Sequence, residues 1–176
     1  MTGIVPDQRL VADELRRLLR QHAASVVVIT TAGVDRPSGF TATSFTSVSL
    51  SPPLISFCVY RGSSCWPTVA AADHVAVHLL SADQADVARR FATGGIDRFA
   101  GQPWRPGPYG VPLLDGALTW LVCGVVERIA AGDHAIVLAE PLAAVECGAG
   151  APLLYHNGQY VRLAASEASQ PHVDLG

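Results

Sequence analysis

The sequence predicts a mainly β fold with α insertions: antiparallel strands forming a closed or partly closed barrel. Three observations carry this reading. Short β-branched, uncharged runs recur along the 176 residues, bounded by Gly, Pro, Ser or Asn breaks. No regular strand–helix–strand alternation and no internal repeat interrupts them. Asn157-Gly158, set between PLLYH and QYVRL, marks a two-residue hairpin turn.

The elements follow in order. DQRLVADELRRLLRQHA (7–23) places Leu10, Val11, Leu15, Leu18 and Leu19 near one helical face and Arg16, Arg17 and Arg20 elsewhere, so an amphipathic helix is expected. SVVVITT (25–31) reads as a buried strand, AGVDRPSG (32–39) as a turn, and LISFCVY (54–60) as a second buried strand after the Pro52-Pro53 break. Pro67 suits the first turn of a helix running to Ala70–Ala72. HVAVHLL (74–80) reads as a strand with apolar alternation. Ser81 with Gln84 three residues on reads as a capping box that opens a helix over SADQADVARRFA, ended by Gly94-Gly95. Residues 96–116 are Gly/Pro-rich and loop-like. ALTWLVCGVVERI (117–129) and HAIVLAEPLAAVEC (134–147) read as long strands, the second bent or placed at an edge by Pro141. The hairpin at 152–163 completes one domain over 1–163, and 164–176 reads as a disordered tail.

Composition narrows the function. Hydrophobic residues make up 49% and charged residues 15%. That is apolar for a monomer, and a homodimer is expected to cover the excess. The net charge of -3 and the lack of a basic stripe argue against nucleic-acid binding. All twelve basic residues are Arg, which removes Schiff-base chemistry, a Walker A loop and a lysine base. MTGIVPDQRL lacks the basic start and apolar core of a signal peptide, and no run reaches the roughly eighteen apolar residues of a membrane span. Cys58, Cys65, Cys123 and Cys147 are scattered with no CxxC, so free thiols and a cytoplasmic location are expected, with no metal. His74 and His78 are four apart in a strand and read as packed or surface histidines rather than ligands. GxGxxG and GxSxG are both absent.

The most informative stretch runs from Gly39 to Trp66. No charged residue lies between Arg36 and Arg61, yet eight of the fourteen residues from Ser38 to Ser51 are Ser or Thr. Neutral hydroxyls and free backbone amides suit a flat ligand that is polar-edged and partly anionic. Gly39 would let the backbone approach such a ligand. The alternative is a Ser/Thr-rich edge strand with its hydroxyls in water.

GFTATSFTSVSLSPPLISFCV strongly resembles the signature of the flavin reductase-like family. The likeness continues in order through SSCW, ADQADVARRFA, IDRFAG with Trp104, GDH (132–134) and PLLYHNGQY (152–160), and it spans roughly residues 15 to 163. Thr43 and Cys65 stand where Ser is common, and Ala139 where Gly is usual. The resemblance implies a homodimeric, antiparallel Greek-key split β-barrel. Its implied activity is NADH-dependent (or NADPH-dependent) reduction of free FAD or FMN, which then passes by diffusion to a separate monooxygenase. The other possibility is a flavoprotein that keeps its flavin for storage or sensing. Carried over by position, Gly39, Phe40, Thr41, Ala42, Thr43 and Ser44 would line the flavin, with Cys58 and Val59 continuing the wall. Ser63, Ser64, Cys65 and Trp66 would lie at the phosphate or adenine side, Arg90 and Phe91 would also touch the flavin, and His134 and Tyr155 would face the nicotinamide. No catalytic acid or base is expected. Hydride transfer between nicotinamide C4 and flavin N5 needs the two rings stacked at about 3 to 3.5 Å, and the cofactors carry the chemistry.

Overall fold

The computed structural model describes residues 10–163. The expected start of the first helix at residues 7–9 and the expected tail at 164–176 lie outside them. In chain order the elements are α1 (Ala12–Leu19), β1 (Ala24–Ser25), β2 (Val27–Thr31), β3 (Ser38–Ala42), β4 (Thr46–Leu50), β5 (Pro53–Tyr60), α2 (Trp66–Ala71), β6 (His74–Leu79) and α3 (Ala85–Ala92). There follow β7 (Trp104–Pro106), a 3₁₀ turn (Pro108–Gly110), β8 (Pro112–Leu114), β9 (Thr119–Ala131), β10 (His134–Glu146), β11 (Leu153–His156) and β12 (Gln159–Arg162).

Seven strands form one antiparallel sheet in the order β3-β2-β6-β9-β10-β5-β4. Its two edges, β3 and β4, are neighbours in sequence, joined only by residues 43–45. Four peptide steps span at most about 14 Å, so the sheet must curl until its edges face one another. The edges do not pair, and a gap remains between them. A three-stranded sheet, β1-β11-β12, and the hairpin β7-β8 complete the β structure.

The uncharged character of SVVVITT has a direct cause. Strand residues alternate between faces, and both faces of β2 are buried. Val27 and Ile29 pack inside the curl with Phe57, Val59, Val75, Val77 and Val137. Val26 and Val28 pack outside it with Leu80, Phe91, Phe99 and Leu153. The central strand β6 is likewise buried on both faces from Val75 to His78, so its expected alternation between apolar and exposed positions is absent. Each fully buried valine contributes about 1.5–3 kcal/mol relative to exposure. Burial also pushes the Cys123 thiol up to about 12, and all four cysteines are free.

Other differences from expectation are local. The helix α3 starts four residues after Ser81. Gln84 Oε1 does accept the Ser81 N–H at 3.1 Å, as a capping box requires, but Ser81 gives no side-chain cap and a turn intervenes. The loop-like 96–116 segment contains the β7-β8 hairpin, whose Val111, Leu113 and Leu114 are buried. Pro-rich β7 and β8 pair only with each other, which is where proline costs no ladder bond within the main sheet. Pro141 sits at a register shift within β10, and Ala139 is buried beside another. Asn157 and Gly158 both have positive φ, 49° and 81°, as their turn type demands.

Candidate active site

A cleft of about 370 Å³ opens where β3 faces β5 across the gap in the sheet. Phe40 to Ser44 form one side, and Cys58, Val59 and Tyr60 the other. Ser63, Cys65, Phe91, Ala92, Arg98 and His134 complete the lining. A tight chain reversal and the pairing of β5 with β10 therefore bring residues from five places in the sequence to one cavity. Register does the positioning: His134 lies opposite Tyr60, and their rings are 5.5 Å apart.

The hydroxyls divide in a way the sequence did not reveal. Thr41 Oγ1 donates to the Ala88 carbonyl at 2.7 Å, tying β3 to α3. Ser44 Oγ accepts the Cys58 N–H at 2.8 Å and stitches the chain onto β5. These two hydroxyls are spent on the scaffold. The hydroxyls of β4 (Thr46–Leu50) are different again. This edge strand is exposed at four of its five positions, so they face water, as the alternative reading had it. What remains for a ligand is Ser63 Oγ, which is buried without a partner among the described residues. With it stand exposed Thr43 and the backbone N–H groups of Thr43 and Ser44, which donate to nothing among the described residues. An orphaned hydroxyl on the wall of a cleft uncharged but for Arg98 and His134 at its margins fits a polar-edged aromatic ligand such as an isoalloxazine ring.

Gly39 lines the small cavity next to this cleft and also has a packing role. A Cβ there would lie 2.8 Å from Phe91 Cε1 and 2.9 Å from the Ile29 carbonyl. The close neighbour on its Cβ side is the protein's own aromatic ring. Phe91 in turn is fully buried and rests edge-on against Phe99, with centroids 5.1 Å apart.

A second cavity, about 150 Å³, adjoins the first and shares Cys65 and Arg98 with it. Arg36, Ser38, Ser64, Thr68 and Asp97 also line it. Arg98, which the sequence reading left without a role inside IDRFAG, is the hub. Its Nε donates to the Thr93 carbonyl and its Nη1 to the Gly39 carbonyl, each at 2.8 Å, and Nη1 also contacts Cys65 Sγ. Cys65 Sγ donates to the same Gly39 carbonyl at 3.2 Å. Two guanidinium groups with Ser64 and Thr68 hydroxyls suit a phosphate. Asp97 is turned to the Phe99 N–H, which its Oδ1 accepts at 3.0 Å.

Three predicted residues stand elsewhere. Trp66 packs against the inner core from α2. Arg90 donates to the Ala100 carbonyl at 2.8 Å, latching α3 to the following loop, and does not line the cleft. Tyr155 belongs to the separate β1-β11-β12 sheet, against Tyr160. His134 is half-exposed at the cleft mouth, with Nδ1 2.6 Å from Asp133 Oδ1. That hydrogen bond holds the Asp133 carboxyl below its ordinary value. Tyr60, Ala92 and Arg98 are the cleft-lining residues that sequence reasoning missed. A single arginine in a Gly-rich loop was the only available signal for Arg98, and strand register alone reveals Tyr60.

Among solved structures, the fold is similar to a flavin reductase domain protein from Arthrobacter sp. FB24, with a TM-score of 0.85 and 36% identity over 91% of this chain and all of that one. It is similar to the NADH:FAD oxidoreductase of Streptomyces globisporus, solved with NAD and FAD fragments, with a TM-score of 0.84 and 36% identity over 92% of this chain and all of that one. An NADH:FMN oxidoreductase from Rhodococcus erythropolis is 42% identical over 86% of this chain and 81% of its own length. The reductase subunit of a flavin-dependent monooxygenase from Mycobacterium tuberculosis is 35% identical over 89% and 85%. The flavin reductase like domain matches residues 19–164, and the chain belongs to that family.

Proposed function

We propose that this protein is an NADH-dependent flavin reductase that reduces free FAD or FMN and supplies it to a separate monooxygenase. The observation that carries the reading is the cleft between β3 and β5: uncharged walls, an orphaned Ser63 hydroxyl, and a cavity with two arginines next to it. The identities of its relatives as NADH:flavin oxidoreductases and monooxygenase reductase subunits support it.

In this reading the bound flavin would supply the two-electron acceptor and the reduced nicotinamide the donor. The chain does the rest. Phe40 and Val59 present apolar surface to a ring face, while Ser63 Oγ and the Thr43 and Ser44 amides meet its polar edge. Such preorganised donors stabilise negative charge developing there. Arg36, Arg98, Ser64 and Thr68 hold phosphate. His134, fixed by Asp133, and Tyr60 stand at the mouth, where they orient the incoming nicotinamide and narrow the access of water. No paired carboxylates or nucleophile–base pair line the cleft, in keeping with a reaction that asks the protein for geometry and electrostatics.

The same reading takes the curled sheet as the split barrel of a homodimer. The support is an amphipathic α1 with no buried residue, leaving Leu15, Leu18 and Leu19 exposed, and exposed Val126, Ile129, Leu142 and Val145 on the far halves of β9 and β10. We place it in the cytoplasm; no helix among the described residues is long and apolar enough to cross a membrane. The test is direct. Purified protein mixed with NADH and free flavin should consume NADH only when flavin is added. A yellow protein inert to NADH would replace this reading with a flavin-retaining one, and no flavin binding at all would end both.

A further inference from the structure

Resting on that reading, we propose that the chain is built for FAD over FMN, because a third cavity continues the flavin site past its phosphate and receives the adenylyl half. This cavity, about 400 Å³, lies between the 32–36 turn and α2. It shares Arg36 and Thr68 with the small cationic cavity, as that cavity shares Cys65 and Arg98 with the ring cleft. The three voids thus adjoin one another in series, each neighbouring pair sharing two wall residues. FMN ends at its phosphate and would fill the first two. FAD continues through a second phosphate into an adenosine group, which needs a further space of just this kind.

The chemistry of the walls matches the order of groups along FAD. The ring cleft is uncharged apart from Arg98 and His134 at its margins. The middle cavity holds both guanidiniums, and Arg36 forms no ion pair among the described residues, leaving it free for a diphosphate. The third cavity is walled by Val34, Pro67, Ala71 and Ala72, apolar surface suited to a purine face, with Asp35, Arg36 and Thr68 as its polar side chains. Its volume falls within the roughly 300–1,000 Å³ of small-molecule sites. Arg36 lies at the junction of the middle and third cavities, where a pyrophosphate bridge would lie.

The experiment compares FAD and FMN with the full chain, by direct binding titration and by Michaelis constant at saturating NADH. FAD should bind at least about tenfold more tightly than FMN. Ala71→Trp fills the third cavity from an exposed position and should erase that preference, leaving the FMN constants within about twofold of the starting values. Val34→Trp provides a second block from the rim of the cavity, where Val34 is wholly exposed (103%) and can be enlarged without disturbing the packing. Equal affinity for the two flavins in the unaltered chain overturns the proposal, and so does an FAD preference that survives both variants. A rise confined to the NADH Michaelis constant would assign the cavity to the nucleotide half of NADH and also overturn it. Failure to bind either flavin would instead remove the flavin-reductase reading itself, and this proposal with it.

Discussion

His78 should make the fold acid-sensitive, and its size can be worked out from its surroundings. The ring is fully buried on the outer face of β6. Its Nδ1–H donates to the Val28 carbonyl at 3.0 Å, and its Nε2 accepts the Leu114 N–H at 3.1 Å. Both nitrogens are committed to the neutral form, and the bond to Leu114 fastens the β7-β8 hairpin to the sheet. Burial disfavours the imidazolium and lowers its pKa from 6.5 to about 4, against a smaller opposing pull from the Val28 carbonyl. A histidine depressed in the folded state leaves stability intact above the unfolded value and removes it as pH falls towards the folded one. Linkage then gives a loss of about 2 kcal/mol between about pH 7 and pH 5, approaching about 3 kcal/mol near pH 4. Urea unfolding followed by tryptophan fluorescence at several pH values measures it. His78→Gln, which keeps an acceptor and a donor but cannot ionise, should flatten the curve by that amount, since every other titrating group is common to both proteins. Parallel pH curves for the two proteins would refute the reasoning.

Three further outcomes are expected. Gly39→Ala forces a methyl against the Phe91 ring and the Ile29 carbonyl and should cost about 1–3 kcal/mol of unfolding free energy by urea titration. Ser63→Ala removes a hydroxyl with no internal partner, so stability should hold while flavin affinity falls by roughly 2- to 13-fold, the worth of about 0.5–1.5 kcal/mol; a stability loss with unchanged flavin affinity would show that Ser63 serves the scaffold. His134→Ala should raise the Michaelis constant for NADH more than it weakens flavin binding, and the reverse pattern would reassign His134 to the flavin.

Most of the strand framework was legible because it rests on local chemistry. The runs at 25–31, 54–60 and 117–129 favour strands through their β-branched and aromatic content, and Asn157-Gly158 favours a tight turn. The hydroxyl-rich segment was legible as a site but not in detail. Thr41, Ser44 and Ser63 look alike in sequence; which of them is free depends on whether Ala88, Cys58 or nothing lies within reach. The β7-β8 hairpin was hidden because prolines mask a strand in any local reading, and its pairing and burial come from the outer core.

By itself, then, the order of residues determined most of the longer strands, the hairpin turn at Asn157-Gly158 and the uncharged chemistry of the segment after Gly39, since each depends on neighbours a few positions away. Tertiary structure decided that Arg98, Tyr60 and His134 meet at one cleft, that Gly39 leaves room for Phe91, and that three voids adjoin one another. Those outcomes depend on strand register and on the curl of the sheet, which gather residues from Phe40 to His134 around one cleft. A slip of one residue in β5 against β10 would turn every side chain there to the opposite face, and no local pattern records that alignment.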